Sequence, residues 1–249
     1  MVQKINLSSA DLKLPRRLRG LLIGPSGAGK TQFMKQILRF QNEMLVQPYT
    51  KYVYCSPNLE ETFLTHEHKL MNEMRELAAP ATVEFYPALP TLEQIYGFVD
   101  SEESRVLLLL DDFNEDLFNS KALAQVFTRL SSHYAVDALC TSHTGFSKGR
   151  YYGDIYNQAN LIVIWRCLSD RLLLVNLSKK MFPGQSQYVC QVFDTIVEQL
   201  GPYGYMAIYL SHGNPLDHKF SLKSRIFPFV NRFGKWEHSP LYYKPKTLV

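Results

Sequence analysis

Eight residues, Gly24-Pro25-Ser26-Gly27-Ala28-Gly29-Lys30-Thr31, constrain this chain more than any other feature, because they match the full G-x-x-x-x-G-K-[ST] pattern. They follow the short apolar run Leu21-Leu22-Ile23 and precede a segment in which Phe33, Met34, Ile37, Leu38 and Leu45 recur near helical spacing. A strand, a glycine loop and a helix in that order form a cradle. Gly27 and Gly29 let the backbone curl so that successive amides face phosphate oxygens, and the helix adds the favourable end of its dipole. Lys30 brings positive charge to the β- and γ-phosphates, and the Thr31 hydroxyl is offered to magnesium. Gly24 through Thr31, with Gln32 beside them, are therefore the expected contacts of ATP with Mg2+.

A phosphate loop needs acidic partners before it can hydrolyse a nucleotide, because magnesium must be anchored and the attacking water oriented. Arg105-Val-Leu-Leu-Leu-Leu-Asp111-Asp112 supplies them: an apolar strand delivers carboxylates to the carboxyl edge of a sheet, where ligands of open α/β folds bind. Asp111 is expected to hold the magnesium shell. Asp112, one residue further out and so pointing to the opposite side, is the candidate to polarise water, with Glu115 behind it. The next strand closes on Cys140-Thr141-Ser142-His143, where a polar residue can sense the γ-phosphate; Ser142 and His143 both qualify. Phosphoryl transfer also leaves charge to neutralise, so an arginine from a neighbouring copy is expected. Arg129, Arg150, Arg166 and Arg225 are the candidates, Arg150 and Arg225 foremost.

Strand signals at Lys51 to Cys55, Thr82 to Tyr86, Val106 to Leu110, Ala135 to Thr141, Leu161 to Arg166, Tyr205 to Leu210 and Leu222 to Phe227 alternate with helical stretches. The helices are expected at Leu59 to Leu77, Thr91 to Val99, Lys121 to His133, Asp170 to Lys180 and Gln187 to Leu200, with Thr91 as an N-cap. That alternation predicts an α/β three-layer sandwich of the P-loop NTPase class around a mainly parallel sheet. Its parts are a basic segment 1–18, the nucleotide domain 19–230 and an irregular basic tail 231–249. About 80 residues separate Lys30 from Asp111, room for two intervening strand-helix units. By fold-level analogy this points to the additional-strand class, RecA-like and FtsK–HerA-like, whose members work as rings.

The 249 residues suffice for one well-packed domain, and 46% hydrophobic with 20% charged residues excludes wholesale disorder. No apolar stretch approaches the roughly 20 residues needed to span a bilayer, and the N-terminus has no apolar core of signal-peptide length. The chain is expected to act inside the cell that makes it. Cys55, Cys140, Cys167 and Cys190 lie far apart, without the close pairs of zinc or disulfide frameworks, and read as reduced. The net charge of +4 is mild, but Lys13, Arg16, Arg17 and Arg19 crowd the approach to the first strand, and Lys219, Lys223, Arg225, Arg232, Lys235, Lys244 and Lys246 enrich the tail. Both basic ends are candidates to touch nucleic-acid phosphates. Lys148, Arg150, Tyr151 and Tyr152 combine cations with aromatics in a loop that could grip a DNA backbone.

These motifs stand beside Val126-Phe-Thr-Arg-Leu-Ser-Ser-His133, Thr141-Ser-His-Thr-Gly-Phe146, Asn157, Trp165-Arg166, Tyr203-Gly-Tyr205 and Arg225-Ile-Phe-Pro228. Together they resemble the poxvirus-type genome-packaging ATPases of the FtsK–HerA lineage, found in large DNA viruses, virophages and polinton-like elements. The resemblance covers about Leu21 to Pro228. It implies a pentameric or hexameric ring that pumps double-stranded DNA into a preformed capsid, with a capsid or portal-vertex protein as partner. The site of action would be inside the infected host, and association with the virion is left open. One position departs: the family usually has glutamine after the threonine of the sensor strand, where this chain has Ser142 followed by His143. Two other readings remain open, a P-loop kinase acting on a small acceptor and a nucleotide-dependent assembly scaffold without motor activity.

Overall fold

The computed structural model describes residues 13–59, 66–167, 171–210, 222–230, 233–238 and 240–243. In chain order its strands are β1 (Arg19–Ile23), β2 (Lys51–Cys55), β3 (Thr82–Tyr86), β4 (Val106–Leu110), β5 (Val136–Ser142), β6 (Leu161–Trp165), β7 (Tyr205–Tyr209), β8 (Leu222–Ser224), β9 (Phe229–Val230), β10 (Trp236–Glu237) and β11 (Leu241–Tyr243). Nine of them form one sheet in the order β11-β8-β7-β6-β1-β5-β4-β2-β3, while β9 pairs with β10. The block from β6 to β3 is parallel throughout. The strands β7, β8 and β11 extend it in antiparallel fashion. The decisive feature of this order is that β5 lies between β1, which feeds the phosphate loop, and β4, which delivers the aspartates.

Continuous apolar strands follow from helices on both faces. Along β4, Val106, Leu108 and Leu110 belong to one core cluster and Leu107 and Leu109 to the other. The face of Leu107 and Leu109 is covered by α1 (Lys30–Arg39), α2 (Gln41–Met44) and α3 (His66–Ala78), through Phe33, Ile37, Met44 and Met74. The opposite face carries α4 (Leu92–Gly97), α5 (Glu115–Asn119), α6 (Lys121–Gln125), α7 (Ser131–His133), α8 (Tyr152–Gln158), α9 (Arg171–Met181) and α10 (Ser186–Leu200). Thr91 caps α4 as expected, in a reciprocal capping box with Gln94. The expected helix Lys121 to His133 is continuous but widens into a π turn at Val126–Leu130. Within that turn the Thr128 hydroxyl donates back to the Ala124 carbonyl at 2.8 Å.

One sequence expectation needs correction. The tail is not irregular throughout: Leu241–Tyr243 pairs with β8 and closes the antiparallel edge of the sheet, with Leu241 and Tyr243 buried in the core. A three-residue strand carries too little alternation to be read locally, and its pairing with Leu222–Ser224 is long-range. The described part of the basic N-terminal segment packs onto the nucleotide domain. Leu14 and Leu18 are fully buried, the Leu14 amide donates to the Met44 carbonyl at 2.6 Å, and the Leu18 carbonyl accepts from the Ala138 amide at 3.0 Å. Residues 1–12, Asp170, Lys219, Arg232, Lys244 and Lys246 lie outside the described residues. Among the described residues no helix is long and apolar enough to cross a membrane.

Candidate nucleotide site

The phosphate loop leaves β1 at Gly24, whose amide donates to the Ser142 carbonyl at 3.1 Å and so ties the ends of β1 and β5 together. Gly27 and Gly29 take φ of 73° and 104°, a left-handed region that a side chain would strain, and Gly29 is the N-cap of α1. Space rather than φ restricts Gly24, where an added Cβ would lie 2.9 Å from the Trp165 Cβ. The first turn of α1 holds no acidic side chain, so its positive end is left for an external anion. Phe33 anchors this helix from below, meeting Phe227, Tyr205 and Trp165 edge-on at 4.9, 5.4 and 5.7 Å between ring centres. The late motifs around Trp165, Tyr205 and Phe227 therefore serve as the aromatic footing of the phosphate loop.

Opposite the loop, Asp111 is buried at 6% exposure and surrounded by hydroxyls. Its Oδ2 accepts from Thr31 Oγ1 at 2.7 Å and Tyr54 OH at 2.9 Å, and its Oδ1 accepts from Thr141 Oγ1 at 2.8 Å. Asp112 differs: its φ of 65° turns the chain sharply, and its side chain is 41% exposed. The Thr141 oxygen holds that turn by accepting from the Asp112 amide at 2.9 Å. His143 Nε2 lies 2.8 Å from Asp112 Oδ1, and Asn58 Nδ2 donates to Oδ2 at 3.2 Å.

Lys30, buried at 7% exposure, donates from Nζ to the carbonyls of Gly24 at 2.7 Å and Pro25 at 2.9 Å, and stands 3.3 Å from His143 Nδ1. Lysine offers only donors and a carboxylate only acceptors, so a neutral imidazole with its proton on Nε2 satisfies both neighbours. Burial lowers the pKa of Lys30, and the negative charges of Asp111 and Asp112 oppose that fall. These groups bound an open cavity of about 400 Å3 that Ser26, Gln32 and Ser56 also line.

The structure thus brings Ser26, Gly27, Gly29, Lys30, Thr31, Gln32, Asp111 and Asp112 to one cavity. Gly24 and Pro25 act through their carbonyls, and Ala28 is buried behind the loop. Ser142 is not on the cavity wall: its hydroxyl donates to the Thr144 carbonyl at 2.6 Å, and His143 faces the site instead. Neither Arg150 nor Arg225 lines this cavity. Arg150 is exposed and lies 5.4 Å over the Tyr151 ring, while Arg225 sits 4.2 Å over Phe229 with φ of 51°. Arg129, Arg166 and Glu115 are exposed outside it. Tyr152, expected to face outward, instead stacks on Tyr156 and donates to the Gly145 carbonyl at 2.7 Å. Tyr54, Asn58 and Thr141 were missed; only the placement of Thr141 at the polar end of β5 signalled its role in the sequence.

Thr31 and Asp111 present two hard oxygen donors side by side at a helix N-terminus, facing the cavity, and this set suits magnesium better than a softer metal.

No family model and no curated sequence matches this chain. Among solved structures it is similar to the genome-packaging NTPase B204 of Sulfolobus turreted icosahedral virus 2 in complex with sulfate. That likeness has a TM-score of 0.51 and 14% identity, covering 80% of this chain and 94% of that one. The same protein in complex with ATP-γS aligns at TM-score 0.44 and 12% identity over 77% and 91% of the two chains. The flagellar accessory protein FlaH of Methanocaldococcus jannaschii aligns at 0.42 and 14% over 68% and 83%. With β5 interposed between β1 and β4, the chain has the α/β fold of the P-loop NTPases.

Proposed function

We propose that this chain is an ATP-hydrolysing motor that drives double-stranded DNA into a viral capsid, working as a homo-oligomeric ring docked on a capsid or portal-vertex protein inside the infected cell. The observation that carries the hydrolytic part is the convergence of Thr31, Asp111, Asp112, His143 and Lys30 on one cavity at the N-terminus of α1. The packaging part is supported by the late sequence motifs and by a fold shared with a viral packaging NTPase.

In this mechanism the triphosphate lies along the amides of residues 25–31, and the Lys30 ammonium exchanges the Gly24 and Pro25 carbonyls for phosphate oxygens. Thr31 and Asp111 would hold magnesium, which supplies charge neutralisation at the β- and γ-phosphates. Asp112, exposed where Asp111 is not, accepts the proton of the attacking water as the bond from the γ-phosphorus to ADP breaks. His143 keeps the Asp112 carboxylate in place through Nε2–H. An arginine of a neighbouring copy, Arg150 or Arg225, completes the charge shell in trans. Contacts to DNA are with its backbone, because a packaging motor must ignore sequence.

Single-turnover ATP hydrolysis with and without duplex DNA, under conditions that favour assembly, tests the proposal. Rings whose turnover rises with DNA are the expected result. A monomer that phosphorylates a small acceptor, or a ring in which Asp112→Asn preserves every assembly function, overturns it.

A further inference from the structure

A second polar cavity, of about 480 Å3, opens at the other edge of the sheet, where β1, β4 and β5 begin. It is lined by Arg16 and Arg17 ahead of β1, Arg105 ahead of β4, Ser132 and His133 of α7, and Asp137 of β5. The five residues of β1 separate it from the phosphate loop by about 16 Å at roughly 3.3 Å per residue.

Its charges are arranged for an external anion. Asp137 is 1% exposed, accepts from Tyr49 OH at 2.7 Å and Ser131 Oγ at 2.5 Å, and has its charge set against Arg105 rather than against the rim arginines. Arg105 is fixed in the wall: its guanidinium lies 4.9 Å over the Tyr49 ring, donates to the Gln47 carbonyl at 2.5 Å and stands 3.8 Å from Asp137. Arg16 and Arg17 are exposed at the rim, on a backbone that is clamped. The buried Asn160 amide donates to their carbonyls at 3.4 and 2.9 Å, and its oxygen accepts from the Arg19 amide at 2.9 Å. Arg17 holds φ of 57° and Ala135, on the opposite lip, φ of 51°. Non-glycine residues in this region are strained, and that strain is maintained where a shape is needed. Arg16 and Arg17 on one segment, exposed, and Arg105 on another, set in the wall, thus surround a single buried carboxylate.

We infer that this cavity is a binding site for the phosphodiester backbone of duplex DNA, gripped by Arg16 and Arg17 against the fixed guanidinium of Arg105. The site lies away from the nucleotide pocket, so ATP chemistry and DNA grip occupy opposite edges of one sheet. The choice of polymer rests on the proposed function; the anionic specificity rests on the cavity itself.

Fluorescence anisotropy of the full chain with a labelled duplex of arbitrary sequence, titrated between about 50 and 200 mM salt, tests the assignment. Arg16→Ala/Arg17→Ala should weaken binding about tenfold or more and lower the slope of log affinity against log salt by about 2, one per lost phosphate contact. Arg16→Lys/Arg17→Lys should keep most of both, and both variants should hydrolyse ATP without DNA at the wild-type rate. Wild-type affinity and slope in the alanine variant, with its fold verified by circular dichroism, overturns the assignment while leaving the ATPase reading intact. Loss of binding in the lysine variant equal to that in the alanine variant also overturns it. So does polyglutamate binding with the same affinity and the same dependence on Arg16 and Arg17, since the cavity would then read an acidic protein. Absence of ATP hydrolysis in the wild type would sink the motor and leave the DNA titration readable.

Discussion

Asp111 and Asp137 mark the two edges of the parallel sheet, and they look alike until their neighbours are compared. Both are buried, and both accept hydrogen bonds from hydroxyls, Thr31, Tyr54 and Thr141 for one and Tyr49 and Ser131 for the other. What differs is what lies beyond the hydroxyls. Asp111 faces a glycine loop, a helix N-terminus and a solvent-exposed second carboxylate, whereas Asp137 is backed by the stacked Arg105. A buried carboxylate with satisfied bonds is therefore not in itself a reacting group; a glycine loop and an unneutralised helix dipole separate chemistry from architecture.

The sharpest way to break this contrast is Asp111→Asn. Loss of the anchoring charge should reduce single-turnover hydrolysis at saturating Mg-ATP by about a thousandfold, on the scale of the charges that stabilise phosphoryl transfer. Near-normal hydrolysis would place Asp111 with Asp137 as architecture. Next in size is Asp112→Asn, expected to lower turnover about a hundredfold, the usual worth of a general base, while nucleotide affinity measured by equilibrium binding stays close to wild type. Equal losses in affinity and turnover would mean that Asp112 binds rather than orients.

At the other edge the effect should move from rate to stability. Asp137→Ala strands the buried hydroxyls of Tyr49 and Ser131 and should cost about 1–3 kcal/mol in denaturant unfolding, with hydrolysis per folded molecule unchanged. Its pH dependence has a definite sign. Burial raises the Asp137 pKa, against the opposing pull of Ser131, Tyr49 and Arg105. An acid raised in the folded chain holds its proton more tightly there, so its ionisation opposes folding. That cost is absent below the unfolded value of about 3.9 and complete above the raised folded one. Asp137→Asn should therefore gain stability relative to wild type as pH rises through that window. A difference that stays flat with pH would mean that Asp137 binds its proton equally in the folded and unfolded chains, and so is not shifted by burial.

Much of the first edge was legible because its signals are local. The glycine loop, the apolar run ending in Asp111-Asp112 and the polar end of β5 each occupy fewer than about ten consecutive residues, and strand and helix periods read correctly around them. The second edge was not legible: Arg16, Arg105, His133 and Asp137 meet only because β5 is inserted between β1 and β4, a long-range choice that no window of residues encodes. The same holds for Tyr54, which reaches Asp111 from β2, and for Leu241–Tyr243, whose pairing lies near the end of the chain. The choice between Ser142 and His143 failed locally for another reason. Both are polar and adjacent, and only the turn in which Ser142 bonds Thr144 decides which one faces inward.

That choice yields the smallest of the expected effects and the finest test of the first edge. His143 serves Lys30 with a lone pair and Asp112 with an N–H, so the site needs one acceptor and one donor on a single side chain. Glutamine carries that pair, with its amide oxygen toward the lysine and its nitrogen toward the carboxylate. His143→Ala removes both contacts and should lower kcat about tenfold with little change in KM, because Asp112 is left held by Asn58, the Thr141 oxygen and a long contact from Asn114. His143→Gln should recover most of that loss. If glutamine and alanine lose the same turnover, the imidazole does something other than bridge, and proton transfer by His143 itself becomes the reading to pursue.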